Sequence, residues 1–260
     1  MLEWFSMMRC FLRFSDETNG RKPKPRPEGF SKRKCFANFL EVFGPDELYV
    51  IADCVKPDTH EWLESKGVTV HHTKFGNGGE SFIYAIDLAL RAAAHDGEAV
   101  YLVEDDYLHL PRSREILEEG LEFGDYATLY DHPDKYIEGP GANRLIRGRG
   151  EVTRLYRSRS SHWKLTNSTT LTFSTRMSCL RADHDSYKRF CAGSKSRDFA
   201  MFSHLRKRRL FRKSRTIVSS VPGLSTHVHM PWISPGPEID AALERMRSSA
   251  DRCEQRNGCH

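Results

Sequence analysis

Short apolar runs alternate with segments of helical periodicity along the first half of the chain. The runs MMRCFLRF, ELYVIADC, VTVHHTK and AVYLVEDD are bounded by turn-forming residues, as is typical of buried strands. Between them, segments such as KRKCFANFLEVFG and ESFIYAIDLALRAA place their apolar side chains on one side of a helix. This alternation of strand and helix predicts a largely parallel, twisted sheet with helices on both faces.

The second half of the chain has a less regular pattern. A helix is predicted in SREILEEGLEFG, a strand in DYATLYD, and a β-hairpin or meander in the Thr-rich segment 152–176. A further helix is predicted over 196–211, with Ser196 as its N-cap. No linker interrupts the pattern, so we expect a single domain over 1–238, followed by a polar C-terminal helix and tail over 239–260.

Composition places the chain among folded proteins. Of its 260 residues, 38% are hydrophobic, and 15 Phe, 9 Tyr and 4 Trp supply large side chains for a core. The net charge of +5 is small for this length, so nucleic acid is not an expected partner. No apolar run is long enough to form a transmembrane segment. The seven cysteines are scattered and odd in number, which favours free thiols in a reducing cytoplasm.

Three consecutive acids, Glu104, Asp105 and Asp106, directly follow the apolar part of the fourth predicted strand. In open α/β sheets, ligands bind beyond the carboxyl ends of the strands. Since side chains alternate along an extended chain, Glu104 and Asp106 should point to one side and Asp105 to the other. Two carboxylates on one side repel each other unless a cation lies between them, and such oxygen ligands suit Mn²⁺ or Mg²⁺. The alternative is a solvated acidic turn, or ion pairs with nearby arginines.

Four stretches of the chain together resemble a known family. YLVEDDYLHLP, DYATLYDHPDKY, NSTTLTFSTR and GLSTHV with the following WISPG are similar to the GT-A glycosyltransferases, in particular the small soluble enzymes of large DNA viruses and bacteria, over roughly residues 7–238. The resemblance implies an α/β GT-A fold. A Rossmann-like nucleotide-sugar-binding half with a mostly parallel central sheet would cover about 7–110, and an acceptor-binding half about 111–238.

The resemblance also implies roles for the acids. Asp106 would be a metal ligand, Glu104 would approach the ribose or a metal-bound water, and Asp105 would be structural or solvent-linked beside the bound nucleotide. The family's motif has Asp where this chain has Glu104, which leaves the ribose contact open. A histidine from the C-terminal part often completes the metal site, and a neutral imidazole is a suitable ligand for Mn²⁺. The match to STHV favours His227 over the alternative His229.

Further residues are candidates for binding the nucleotide. Asp53 ends the second strand, where a carboxylate can accept from a base N–H or a ribose hydroxyl, although a turn or capping role is an equal alternative. Arg13 and Ser15 leave the first strand, where the GT-A fold receives the nucleoside. The resemblance places Asn77 and Gly79 beside the nucleoside, whereas a tight turn with an N-cap explains the same GNGGES segment without a ligand.

An inverting transferase needs a carboxylate that takes the proton of the attacking hydroxyl. Asp198 stands at a predicted helix start, where the helix dipole favours its charged form. Related enzymes place such an Asp beneath the acceptor, so Asp198 is the predicted catalytic base. The alternatives are an Asp retained only for the helix dipole, or a base supplied by Asp183 or Asp185 in the same half.

Two polar regions complete the candidate surfaces. The Thr-rich segment is expected to form a wall of the acceptor site, made by His162, Trp163, Thr169 and Thr170. Packing of Trp163 in the core is an equal interpretation. The basic segment 206–215 is interpreted as the solvated end of a helix rather than as a polyanion site. Arg21, Lys22 and Lys24 lie in a basic loop after the first strand. These side chains are close enough in sequence to reach a diphosphate, and the alternative is a flexible loop with no ligand.

The sequence therefore predicts a Mn²⁺- or Mg²⁺-dependent glycosyltransferase. It would move a sugar from a nucleotide diphosphate, with UDP as the expected nucleotide, to a hydroxyl of a glycan or another acceptor, with inversion. One alternative is a nucleotidyltransferase acting on sugar phosphates, although its basic Gly-rich signature is absent near the first strand. The other is a non-enzymatic binder of anionic polymers through the basic segment.

Overall fold

A computed structural model describes residues 8–16, 25–137, 150, 152–193, 196–207 and 214–254, with side chains up to residue 248. The candidate phosphate-binding residues Arg21, Lys22 and Lys24 lie outside the described residues, as does the middle of the basic segment, residues 208–213.

Nine of the described strands form one sheet in the order β3-β2-β1-β4-β9-β6-β10-β8-β7, and two short ones form a separate pair, β11-β5. Their bounds are β1 (Arg9–Phe14), β2 (Leu48–Asp53), β3 (Thr69–Thr73), β4 (Ala99–Glu104), β5 (Tyr107–His109), β6 (Tyr126–Thr128), β7 (Leu155–Arg157), β8 (His162–Leu165), β9 (Phe173–Arg176), β10 (Ile217–Val221) and β11 (Ser225–His227).

The helices connect these strands and cover the sheet. They are α1 (Lys32–Phe43), α2 (Pro57–Glu64), α3 (Gly78–Ala92), α4 (Ser113–Gly120), α5 (Met177–Ala182), α6 (His184–Cys191), α7 (Asp198–Leu205) and α8 (Pro237–Glu254), with a 3₁₀ turn at Pro133–Lys135. None of the described helices is both long enough and apolar enough to cross a membrane.

The prediction of an α/β fold with a mostly parallel, Rossmann-like sheet is confirmed. Strands β3, β2, β1 and β4 are parallel neighbours, as the alternating sequence pattern requires. Successive residues of β4 face opposite sides of the sheet, so that Tyr101 packs with Phe39 of α1 on one face and Leu102 with Phe82 of α3 on the other. The central strands β1, β2 and β4 are therefore buried on both faces, which explains why they are almost continuously apolar.

The second half departs from the sequence prediction in its strand pairing. The hairpin is present as β7 and β8, but β9 does not extend it and instead lies antiparallel between β4 and β6. The helices α5 and α6 occupy residues 177–191, for which no element was predicted, and the only buried side chains of α6 are Tyr187 and Cys191. Helix α7 begins at Asp198, and its N-cap is Arg197 rather than Ser196.

The polar C-terminal helix is attached to the sheet domain. Ile239, Leu243 and Met246 of α8 are buried in a cluster with Cys35 of α1 and Val228. The ammonium group of Lys34 donates to the carbonyl of Met246 at 2.8 Å. The division of the chain at residue 238 stays a prediction, but this apolar face links α8 to the elements that precede it.

Candidate functional site

The candidate site lies at the carboxyl edge of the sheet. Glu104 is the last residue of β4 and pairs in register with Arg13 of β1, while Asp105 and Asp106 form the turn that leads into β5. Strands β1, β2 and β4 run in the same direction, so their exits meet at one edge, as ligand sites of open α/β sheets require.

Glu104, Asp106 and His227 form the candidate metal-binding group. One ligand atom from each lies within 4.8 Å of the other two, and Nε2 of His227 is 2.9 Å from Oδ2 of Asp106. Asp106 and His227 are buried, whereas Glu104 is partly exposed. Two carboxylates and one imidazole are a donor set suited to Mn²⁺ or Mg²⁺ with positions left for phosphate oxygens, so the residues fit the predicted ion.

The pairing of β5 with β11 positions the histidine. His227 lies opposite Tyr107 in this antiparallel pair, and the N–H of Val228 donates to the backbone carbonyl of Asp106 at 2.8 Å. The rings of Tyr107 and His227 are stacked, with centroids 5.1 Å apart. Burial raises the pKa of Tyr107 well above its usual value, and the nearby acids raise it further, so this phenol stays protonated beside the site.

Each of the three acids also has a basic partner. Arg13 Nη2 is 2.7 Å from Glu104 Oε1, and Arg26 Nη2 is 2.7 Å from Asp106 Oδ2. Asp105 is paired at 2.9 Å with the ammonium group of Lys32, the first residue of α1. The alternative of ion pairs with basic residues is therefore present in the structure, together with the metal-ligand geometry. The three acids and three bases give the site a net charge near zero when His227 is neutral.

Asp105 has partners of its own, although it lies with Asp106 in a turn, where the alternation of an extended strand does not apply. Its Oδ2 accepts from the backbone N–H of Ser15 at 2.8 Å, and Lys32 also donates to the carbonyl of Ser15. Burial raises the pKa of Asp105 to about 6, and the charge of Asp106 raises it too, although Lys32 acts in the opposite direction. Asp105 and Ser15 thus tie the exit of β1 to the start of α1, a positioning role for two residues that were expected beside the nucleotide.

Arg13 joins the acids to the turn before α3. Its Nη1 donates to the carbonyl of Gly78 at 3.0 Å, and its guanidinium lies over the ring of Phe82 at 5.3 Å. Asn77 is the N-cap of α3 and accepts from the N–H of Glu80 at 2.8 Å. A Cβ on Gly79 would lie 2.1 Å from the carbonyl oxygen of Gly193, so only glycine fits there. These contacts support the turn-and-cap interpretation, and nucleoside binding by Asn77 and Gly79 stays a prediction.

Asp53 is buried at the end of β2 and is engaged by the chain that follows β3. Its Oδ1 accepts from Thr73 Oγ1 at 3.0 Å and from the N–H groups of Phe75 and Gly76 at 2.7 and 3.4 Å. The carboxylate therefore shapes the turn that leads to α3. This contact pattern corresponds to the turn role that the sequence left open, and a contact from Asp53 to a base or ribose stays a prediction.

Asp198, the predicted catalytic base, holds the loop 168–171. One carboxylate oxygen accepts from Ser168 Oγ at 2.5 Å and the N–H groups of Thr169 and Thr170 at 3.2 Å, and the other accepts from Thr169 Oγ1 at 3.1 Å and the N–H of Leu171 at 3.0 Å. Thr170 and Leu171 have positive φ angles of 52° and 55°, which is unfavourable for residues with a Cβ. The carboxylate thus stabilises an otherwise unfavourable loop conformation.

Two other candidates are displaced from the site by burial. Asp183 is 1% exposed, receives a hydrogen bond from the hydroxyl of Tyr126 at 2.6 Å, and pairs with Arg215 at 2.8 Å. This ion pair lies where β6 and β10 begin, at the opposite edge of the sheet from Glu104 and Asp106. Asp183 is therefore excluded as an alternative base. Trp163 is 0% exposed and packs against Gly120, so it cannot contact an acceptor.

An aromatic group to which no role was assigned from the sequence lies next to the metal-binding group. Tyr130 is in edge-to-face contact with Tyr107, His132 lies 4.9 Å from Tyr130, and Trp232 lies 5.6 Å from His132, centroid to centroid. The hydroxyl of Tyr130 donates to the carbonyl of Trp232 at 2.6 Å. Trp232 is half-buried, which leaves part of its ring to solvent. The signal in the sequence is that LYDH directly follows β6, another strand whose carboxyl end lies at this edge.

Comparisons with known proteins find similarity of structure alone. No family model matches the chain, and no curated protein matches its sequence. Among solved structures, mannose-1-phosphate geranyltransferase from Thermus thermophilus has a TM-score of 0.44 and 14% identity, with 93% of this chain and 79% of that one covered. The inositol-1-phosphate CTP transferase from T. maritima has a TM-score of 0.49 and 12% identity, covering 93% and 97%.

S. aureus TarS 1-349 has a TM-score of 0.46 and 17% identity, with 81% of this chain aligned. This chain spans 60% of that TarS structure. Since all three TM-scores are below 0.5, neither a site nor an activity can be transferred from these proteins. The chain's own topology and side chains define an α/β protein with a Rossmann-like sheet and a candidate divalent-metal site at its carboxyl edge.

Proposed function

We propose that this protein is a metal-dependent glycosyltransferase that moves a sugar from a nucleotide diphosphate to an acceptor hydroxyl. The observation that carries the proposal is the convergence of Glu104, Asp106 and His227 at the carboxyl end of β4. A Mn²⁺ or Mg²⁺ ion at these ligands would neutralise the negative charge that grows on the leaving diphosphate. UDP is the proposed nucleotide, on the basis of the resemblance of the sequence to GT-A enzymes.

The basic residues of the site suit a diphosphate as well as the carboxylates they now contact. Arg13 and Arg26 present guanidinium groups next to Glu104 and Asp106, and a guanidinium binds phosphate oxygens in the same forked geometry as a carboxylate. A divalent ion and the diphosphate of a sugar nucleotide together carry little net charge. Glu104 and Asp106 would then bind the ion, and Arg13 and Arg26 would bind the diphosphate in place of these carboxylates. The net charge of the site would not change.

Deprotonation of the acceptor is the remaining chemical step. We propose Asp198 as the base, which implies inversion at the anomeric carbon, since the hydroxyl then attacks from the face opposite the leaving group. The hydrogen bonds from loop 168–171 support an alternative role for Asp198, in which it positions the loop and another group takes the proton. A half-buried Trp232 beside His132 is the proposed platform for a sugar, because sugars pack their C–H faces on aromatic rings.

The direct test is a panel of nucleotide sugars assayed with and without Mn²⁺, with the products separated. Glycosyl transfer, or slow hydrolysis of the donor, releases a nucleoside diphosphate. Nucleotidyl transfer, the main alternative, would consume a nucleoside triphosphate and release pyrophosphate. We expect a nucleoside diphosphate as product, with UDP-sugars as the best donors. Pyrophosphate release from a triphosphate and a sugar phosphate would overturn the proposal.

Site variants give the second arm of this test. Asp106→Ala should abolish the Mn²⁺-dependent response, and His227→Ala should weaken metal binding strongly. His229→Ala is the matched control, because its ring lies 5.4 Å from His227 but does not belong to the metal-binding group. An Asp106→Ala protein that still responds to Mn²⁺ and donor like the parent would refute the assignment of the metal site.

A further inference from the structure

A second group of possible metal ligands lies at the outer edge of the sheet. His60 and Glu64 are one helical turn apart on α2, and His72 is on β3, the outermost strand next to β2. One ligand atom from each of the three side chains lies within 4.8 Å of the other two. This group shares no residue with the site at Glu104, Asp106 and His227.

The distances are close to those of a metal-binding site. Nδ1 of His60 is 3.4 Å from one carboxylate oxygen of Glu64, and Nε2 of His72 is 3.7 Å from the other. Ligands of a tetrahedral Zn²⁺ with bonds of about 2.0–2.2 Å are separated by about 3.4 Å. The imidazole rings of His60 and His72 lie face to face, with centroids 3.6 Å apart. Stacked rings direct their nitrogen lone pairs along nearly parallel lines, so the side chains would have to rotate to aim both rings at one ion.

We propose that His60, Glu64 and His72 form a peripheral Zn²⁺ site. Two imidazole nitrogens and one carboxylate select a borderline transition ion such as Zn²⁺ over Mg²⁺ or Ca²⁺, which prefer oxygen ligands alone. All three side chains are partly exposed, so the ion can enter from solvent and a water molecule can complete its coordination.

The site would fasten α2 to the edge strand β3. An edge strand has one row of unpaired backbone groups and only one neighbouring strand to hold it, and here that neighbour is β2. Helix α2 is held at its other end by Asp16, which follows β1 and accepts from the N–H of Lys56 at 2.6 Å and from Thr59 Oγ1 at 3.0 Å. A bound ion would thus connect β3 through α2 to the exit of β1, and it should stabilise the folded protein.

The test is a titration of the full chain with Zn²⁺, with the bound ions counted by equilibrium dialysis and the unfolding temperature followed in parallel. The Asp106→Ala protein is the parent, so that the candidate catalytic site does not contribute. We expect His60→Ala and His72→Ala each to lose one bound Zn²⁺ per chain, or to weaken its binding by more than about tenfold, and to lose the accompanying rise in unfolding temperature.

The matched control is His95→Ala. His95 also lies near a carboxylate, Glu98, at 3.8 Å, but it has no third ligand among the described residues. This variant should keep the parent stoichiometry. The proposal would be overturned if the parent, His60→Ala and His72→Ala all bound the same number of Zn²⁺ ions. It would also be overturned if Zn²⁺ did not raise the unfolding temperature of the parent. Neither result bears on glycosyl transfer, which is measured with Mn²⁺ in the chain that keeps Asp106.

Discussion

The guanidinium of Arg26 and the imidazole of His227 both contact the same carboxylate oxygen, Oδ2 of Asp106, at 2.7 and 2.9 Å. Arg26 also donates to the backbone carbonyl of Val228, and its guanidinium lies 4.4 Å from the ring centroid of Phe30. The arginine is thus held against the residue that is proposed to bind the metal. A divalent ion and Arg26 therefore compete for Asp106, and a diphosphate, which offers Arg26 new oxygens, should relieve this competition.

Replacement of Arg26 should separate metal binding from nucleotide binding. In Arg26→Gln the guanidinium no longer competes, so Mn²⁺ alone should bind more tightly than to the parent, by about tenfold if about 1.4 kcal/mol of ion pairing is lost. The affinity for UDP in the presence of Mn²⁺ should fall, because a phosphate partner is lost. Calorimetric titrations with Mn²⁺ alone and with Mn²⁺ plus UDP measure both effects.

Arg33→Gln is the control for this variant, since Arg33 also forms an arginine–aspartate pair, at 2.8 Å with Asp58, but on an exposed surface. It should change neither titration. Weaker binding of Mn²⁺ alone to Arg26→Gln would contradict the competition and would indicate that the arginine helps to preorganise Asp106.

Asp198 can be assigned by combining stability with activity. Asparagine has a single acceptor oxygen, and its amide group would face backbone N–H groups, so Asp198→Asn should disturb loop 168–171 whatever the chemistry. We expect a loss of about 2 kcal/mol in the free energy of unfolding, together with loss of sugar transfer. Urea unfolding and the transfer assay measure the two quantities.

A second measurement distinguishes a base from a residue that only positions the loop. If Asp198 takes the proton, Asp198→Asn should still bind donor and Mn²⁺ like the parent, because the residues proposed to bind them are unchanged. Asp185→Asn is the comparison, since Asp185, the alternative base that stays open, is an exposed first-turn acid of α6 and should keep turnover if Asp198 is the base. An Asp198→Asn protein with normal turnover would exclude both roles.

Trp232 is expected to act on the acceptor or sugar rather than on the nucleotide. Its backbone carbonyl is held by the hydroxyl of Tyr130, so Trp232→Ala should keep the local chain path while it removes the ring. Loss of the platform should raise the KM for the acceptor at least several-fold, with the affinity for UDP and Mn²⁺ unchanged. If the affinity for UDP falls as much as the acceptor KM rises, the ring belongs to the nucleotide site instead.

Local sequence pattern was sufficient for the first half of the fold and for the acids at its edge. The runs that became β1 to β4 are separated by helices, and such connections leave parallel pairing as the main solution, so Glu104 and Asp106 could be placed at a carboxyl edge. The selection of His227 depended on the resemblance to GT-A enzymes, and the structure now places it against Asp106, 121 positions away in the sequence.

The remaining features depend on pairings between distant segments that carry no local signal. The position of β9 between β4 and β6 cannot be read from its Thr-rich pattern, which fits a hairpin equally well. Arg26 stands between two prolines, which fix the backbone on either side of it, but its partner lies 80 positions away. His60 and His72 likewise become neighbours only when α2 packs beside β3.

His109 should make the folded protein sensitive to acid. It is 1% exposed and lies 2.8 Å from the hydroxyl of Tyr101, and burial lowers the pKa of His109 from 6.5 to about 3. Below pH 6.5 the unfolded chain binds a proton that the folded chain does not, so stability is lost as the pH falls from 6.5 toward 3.

The side chain of His109→Gln cannot titrate. Between about pH 7.5 and about pH 5, the free energy of unfolding of this variant should therefore fall by about 2 kcal/mol less than that of the parent. Urea unfolding at both pH values measures this difference, with the exposed His95→Gln as control. Equal losses in the parent and His109→Gln would mean that the imidazole is protonated in the folded state.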